Sequence, residues 1–100
     1  MSFVTVHPDK LSAAASNLQS ITASLKVGNA AAALPTTGVV PAAVDEVSVL
    51  TAAQFAAHAA RFQALAARAL AVHELLAATL AQSAGSYAAT EAANSTASAL

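Results

Sequence analysis

The chain has 100 residues, nine formal charges, a net charge of −1 and 31 alanines. That length admits one domain at most, and the near-zero charge leaves no clustered Lys and Arg to hold phosphates, so nucleic acid is excluded as a partner. With no cysteine, three glycines and three prolines, a disulfide scaffold, a structural zinc site and a collagen-like chain are excluded as well.

Pro8 suits the first turn of a helix, where its missing N–H would have no partner anyway. Asp9 follows at the positive end of the helix dipole. Leu11, Leu18, Ile21 and Leu25, with Ala14 between them, recur in steps of three and four, the period of one helical face. Ser12, Ser16, Gln19 and Ser20 fall elsewhere. The spacing predicts a helix over about 8–34, ending before Pro35. Pro35-Thr-Thr-Gly-Val-Val-Pro41 is the one Pro/Gly cluster and reads as a turn, about 35–44.

Asp45 is a natural N-cap for a second helix, with Glu46 in its first turn and Val44 and Val49 at the positions of a hydrophobic staple. Nothing breaks the second helix from there to about residue 84. Phe55, His58, Phe62, Leu65, Ala69, Val72 and Leu76 form its apolar stripe, and Leu70, Leu75 and Leu80 widen it. Alanines on both helices permit close axial approach. The last stretch, 85–100, is small and polar and reads as a flexible tail.

This pattern defines an all-α chain, a long antiparallel two-helix hairpin. Two helices share one interface, so each keeps another side open. The 26 apolar residues larger than alanine exceed what a single pair can cover, and an uncovered apolar band marks a partner site. Association into a four-helix bundle follows, with a copy of the chain or with another protein. Leu11, Leu18, Ile21 and Leu25 face the second helix, a partner, or both. Phe55, Phe62, Leu65, Val72 and Leu76 are core or interface residues on either arrangement, and His58 is a hydrogen-bonded interface histidine within that stripe.

The start carries no Lys or Arg before Lys10, so no Sec-type signal peptide is expected. The uncharged run 27–44 is broken by Gly and Pro, and the run 75–90 is short, so no transmembrane helix is expected.

Several stretches match, in order and spacing, a known family. Met1-Ser-Phe-Val is followed by Pro8-Asp9, where the family has Pro-Glu, and by the alanine-rich helix. Pro41-Ala-Ala-Val-Asp45-Glu-Val-Ser48 and Tyr87-Ala-Ala-Thr-Glu91 match further on. Over essentially its whole length the chain resembles the PE domain of the mycobacterial PE proteins. The resemblance implies a heterodimeric four-helix bundle with a PPE protein, residues 1–84 supplying the hairpin. It implies export of the pair by a type VII (ESX) secretion system to the cell surface or medium, after assembly in the cytoplasm. Tyr87 and Glu91 would form the C-terminal Tyr-x-x-x-Asp/Glu signal read by the secretion ATPase. A chaperone contact would run through the PPE partner. The resemblance also leaves room for a role in an outer-membrane solute-uptake pore formed with that partner, and the residues alone leave room for a self-associating bundle.

Tyr87 and Glu91 are four apart, so on a helix they share a face, an aromatic anchor beside a carboxylate. Catalysis has no comparable basis. The chain has no Gly-x-Ser-x-Gly elbow and no His-Glu-x-x-His. His73 and Glu74 point about 100° apart on a helix, and His7, His58 and His73 lack metal-ligand spacing. A non-enzymatic protein without cofactor is expected.

Overall fold

A computed structural model describes residues 4–99. The matched Met1-Ser-Phe and the terminal Leu100 lie outside the described residues. Two helices, α1 (Pro8–Thr37) and α2 (Glu46–Ser98), account for nearly all of the described chain, which contains no strand. The all-α expectation holds. The chain divides into two units: one pairs Met1–Ile21 with His73–Leu100, the other is Thr22–Val72.

The Thr22–Val72 unit contains the hairpin turn. Here α1 runs three residues beyond the end at Leu34 that the sequence predicts, taking Pro35 into its last turn. A proline inside a helix removes one donor to the carbonyl four residues back. The carbonyl it frees is that of Ala31, and the residues after the proline add bonds to the carbonyls that follow. The Thr36 hydroxyl donates to the Ala32 carbonyl (2.5 Å) and the Thr37 hydroxyl to Ala33 (2.6 Å). The Gly38 N–H closes the end on the Leu34 carbonyl at 2.9 Å. A Cβ at position 38 would stand 3.1 Å from that same oxygen, so the tight exit favours glycine.

Asp45 starts α2 as its spacing implies. Its carboxylate accepts from the Ser48 N–H (2.9 Å) and the Ser48 hydroxyl (2.7 Å), and its carbonyl accepts from the Val49 N–H (3.1 Å). The staple does not form, because Val44 is fully exposed and makes no cover for Val49. The bonds from Ser48 hold the Asp45 carboxyl below the ordinary carboxylate value. A depressed pKa favours the folded state above the unfolded pKa, and that contribution is lost as pH falls through the folded value. We therefore expect Asp45→Ala to lower the thermal midpoint of the purified protein at neutral pH. The difference from wild type should shrink below about pH 4. Asp45→Asn, which can still cap, should lose the pH dependence while keeping most of the stability. Circular dichroism across that pH range checks both.

The fully buried positions of the seam between the helices are small side chains, and longer ones are only half-buried along it. In the Thr22–Val72 unit, Ala52, Ala56, Ala59, Gln63, Ala66 and Leu70 on α2 are buried or half-buried, in steps of four and three. Thr22, Asn29, Ala32 and Ala33 are their counterparts on α1. Gln63 Nε2 donates to the Asn29 carbonyl at 3.0 Å and ties the two helices together. In the other unit, Leu11, Ala15 and Leu18 on α1 and His73, Ala77, Leu80 and Ala84 on α2 repeat the pattern. The buried apolar side chains among the described residues are five alanines, and no large side chain is fully buried. Burial contributes about 0.8 kcal/mol per CH₂, so an alanine seam supplies little. His73 adds a cost, since its Nδ1 is buried with no hydrogen-bond partner.

Beyond Ala84 every described residue is exposed, yet α2 continues to Ser98. The segment read from sequence as a flexible tail is helical. Alanine-rich composition favours helix, and three hydroxyls reach back to carbonyls four residues earlier: Thr90 to Ser86, Thr96 to Ala92 and Ser98 to Asn94. At 1.5 Å per residue, 85–98 extends the helix by roughly 21 Å past its last buried seam position.

Candidate partner surface and export motif

The ten residues singled out for a partner interface fall into two groups. In the unit formed by Met1–Ile21 and His73–Leu100, Leu11 and Leu18 are half-buried in the seam, whereas Ile21 and Leu76 point outward. In the Thr22–Val72 unit, Leu25, Phe55, His58, Phe62, Leu65 and Val72 are all exposed. The bulky residues of the α2 stripe, Phe55, Phe62, Leu65, Val72 and Leu76, are 48–66% exposed.

The reason lies in the helical geometry. Lettered as a heptad, Phe55, Phe62 and Ala69 take position a, and His58, Leu65 and Val72 take d. The seam residues Ala59, Ala66 and His73 then fall at e, beside that stripe. Alpha2 thus turns an alanine-rich face, with Gln63, Leu70, His73 and Leu80 half-buried on it, against α1 and leaves its aromatic-bearing column outside. A shallow apolar groove of about 320 Å³ opens on this face of the Thr22–Val72 unit. Phe55, His58, Phe62 and Ala59 form one wall, Pro35 and Val39 part of the other. His58 is thus an exposed imidazole within an apolar groove.

Tyr87 and Glu91 lie on the helix past Ala84, one turn apart on one face. Tyr87 is 47% exposed and Glu91 is exposed. Pro8 opens α1 and Asp9 stands in its first turn, with the His7 carbonyl accepting from the Lys10 and Leu11 N–H groups at 3.0 and 3.2 Å. Pro8-Asp9 therefore begins the helix.

Among the described residues, no three His, Asp or Glu side chains come together as a metal site. Alpha2 does contain an 18-residue stretch long and apolar enough to cross a membrane by length and composition, which the sequence reading of the runs 27–44 and 75–90 does not anticipate. Its longest charge-free run is the 16 residues 75–90. Every 18-residue stretch of α2 therefore includes at least one of Glu46, Arg61, Arg68, Glu74 and Glu91. An ionised side chain at a bilayer centre costs about 2.5–3.5 kcal/mol.

Three features were not anticipated by the apolar periodicity. Arg61 and Arg68 border the bulky stripe, Gln63 bridges the seam, and Leu34, Val40, Val44 and Val47 are strongly exposed around the turn. Heptad lettering of all residues, charged ones included, would have found the arginines.

These features define a class: an all-α, two-helix chain with alanines at its buried positions, an exposed bulky face and a helical extension past its last buried position. Comparison with known proteins makes the class specific, because residues 4–94 match the model of the PE family. The chain belongs to that family. It is 64% identical over 97 residues to PE family protein PE13 of Mycobacterium tuberculosis, covering 97% of this chain and 98% of that protein. It is 48% identical over 99 residues to PE family protein PE8 of the same organism, covering 99% of this chain and 36% of PE8. Esterase PE16, also from M. tuberculosis, is 49% identical over 94 residues, which is 94% of this chain and 18% of that protein. The chain thus spans nearly all of PE13 but only about a third of PE8 and a fifth of PE16.

Proposed function

We propose that this chain is the PE subunit of a heterodimer with a PPE protein, completing a four-helix bundle. One observation carries the reading: the buried apolar side chains are alanines, while Phe55, Phe62, Leu65, Val72 and Leu76 stand outside. A stable helical assembly buries its large residues, and covering this face with two further helices would do so. The assembled pair is then exported from the cytoplasm by a type VII (ESX) system to the cell surface or medium. Tyr87 and Glu91 serve as the signal recognised by the secretion ATPase, and the chaperone contact is made through the PPE subunit. The exposed one-turn pairing of an aromatic ring and a carboxylate on an uncovered helix suits that role. The protein acts by association, and the part of PE16 that this chain matches is 18% of that protein.

Co-expression with a PPE protein encoded beside this chain's gene tests the pairing. A one-to-one complex is expected on size exclusion. Elution of the two proteins apart, or of this chain as an assembly with itself, would overturn it.

A further inference from the structure

We propose that Arg61 and Arg68 form a cationic rim that selects a partner helix carrying carboxylates seven residues apart. This rests on the reading of the bulky α2 face as the partner interface. In the heptad that places Phe55 and Phe62 at a, position g holds Val47, Gln54, Arg61 and Arg68 within the Thr22–Val72 unit. Both arginines are exposed and belong to the Thr22–Val72 unit. Seven residues are two helical turns, so the guanidinium groups repeat along one edge of the apolar stripe about 10.5 Å apart. Residues at g flank an apolar seam and set partner choice and orientation through ion pairs across it.

Within its own unit this edge has nothing to neutralise it. The acids of residues 22–72 are Asp45 and Glu46. Asp45 is occupied in capping α2 through Ser48. Glu46 lies 15 residues before Arg61, roughly 22 Å along the helix, well beyond the screening length of about 8 Å at physiological salt. Neither arginine makes an ion pair with a described residue. Val47 and Gln54 precede the arginines in the column, so no repulsive acid interrupts it. The opposite edge of the stripe is already the seam with α1, so partner charge can meet this face only along the arginine column. Charge complementarity therefore points to Glu or Asp at matching heptad positions of the covering helix, on the edge of the stripe away from the groove. Arginine suits the role, because its planar fork pairs with a carboxylate through two hydrogen bonds.

The test is competition for a limiting amount of the PPE partner during cell-free co-synthesis. Wild-type chain competes with Arg61→Glu/Arg68→Glu, at about 0.05 M and about 0.5 M salt. The wild type should be captured at least about tenfold more often at low salt, and the preference should shrink at high salt. Arg61→Gln/Arg68→Gln, which removes charge without reversing it, should lose a few-fold and lose the salt dependence. Replacing the partner's facing carboxylates with Lys should restore capture of the Glu variant. Phe62→Asp serves as the control for the surface itself. If Phe62→Asp competes poorly while the arginine variants are captured like wild type at both salts, the rim is refuted and the interface stands. If Phe62→Asp also competes as well as wild type, the interface reading falls and the rim proposal with it.

Discussion

Phe62→Asp should leave the chain unable to hold its partner. Phe62 lies at the centre of the bulky α2 stripe and half of its surface is open in the chain alone, at 51% exposure. Covering that surface contributes part of the roughly 1.5–3 kcal/mol of a buried phenylalanine. A carboxylate in its place forfeits this and must also lose its hydration, or take up a proton, in an apolar groove. A combined loss of about 4 kcal/mol or more weakens association roughly a thousandfold. The helix itself should tolerate the change, because position 62 is outside the alanine seam. Co-purification with the PPE protein gives the readout. Retention of Phe62→Asp at wild-type levels would remove Phe62 from the interface.

Tyr87→Ala should block export and spare the complex. Ala84 is the last buried seam residue, and Tyr87 stands one turn beyond it on the uncovered part of α2. Alanine is the best helix former, so the substitution removes the ring without breaking the extension. An aromatic anchor in a recognised handle contributes about 2 kcal/mol or more, roughly thirtyfold in affinity. Secretion of the pair should fall to background while its co-purification from cells is unchanged. Glu91→Ala should act in the same direction. Efficient export of Tyr87→Ala would remove these residues from the signal, and loss of the complex would make Tyr87 an interface residue instead.

Both outcomes turn on features of unequal legibility in the sequence. The bulky stripe was readable because Phe55, Phe62, Leu65, Val72 and Leu76 recur at helical spacing against a polar and small background. The seam against α1 was not. Thirty-one alanines occupy every face of the helices, so their periodicity does not single out Ala52, Ala56, Ala59 and Ala66. The structure resolves the ambiguity, because the fully buried seam positions are small and the aromatic-bearing column is turned outward. Capping was readable at Asp45, where one side chain satisfies one N–H locally. The path through Pro35 was not, since it depends on Thr36, Thr37 and Gly38 satisfying carbonyls of the turn before. The segment after residue 84 looked like a tail because it has no apolar stripe. It is helical because alanine propensity and hydroxyl back-bonds favour helix without packing. The arginine rim was hidden by the low charge count, which invites attention to net charge when position is what matters.

On the reading proposed above, this chain is half of a core and reaches a stable fold only with its partner. Thermal unfolding of the chain alone and of its co-purified PPE complex, followed by calorimetry, tests it most directly. The chain alone should aggregate or melt without a cooperative transition, while the complex should unfold in one transition at higher temperature. A stable, cooperative monomer, with the Phe62 face still open to solvent, would contradict the account.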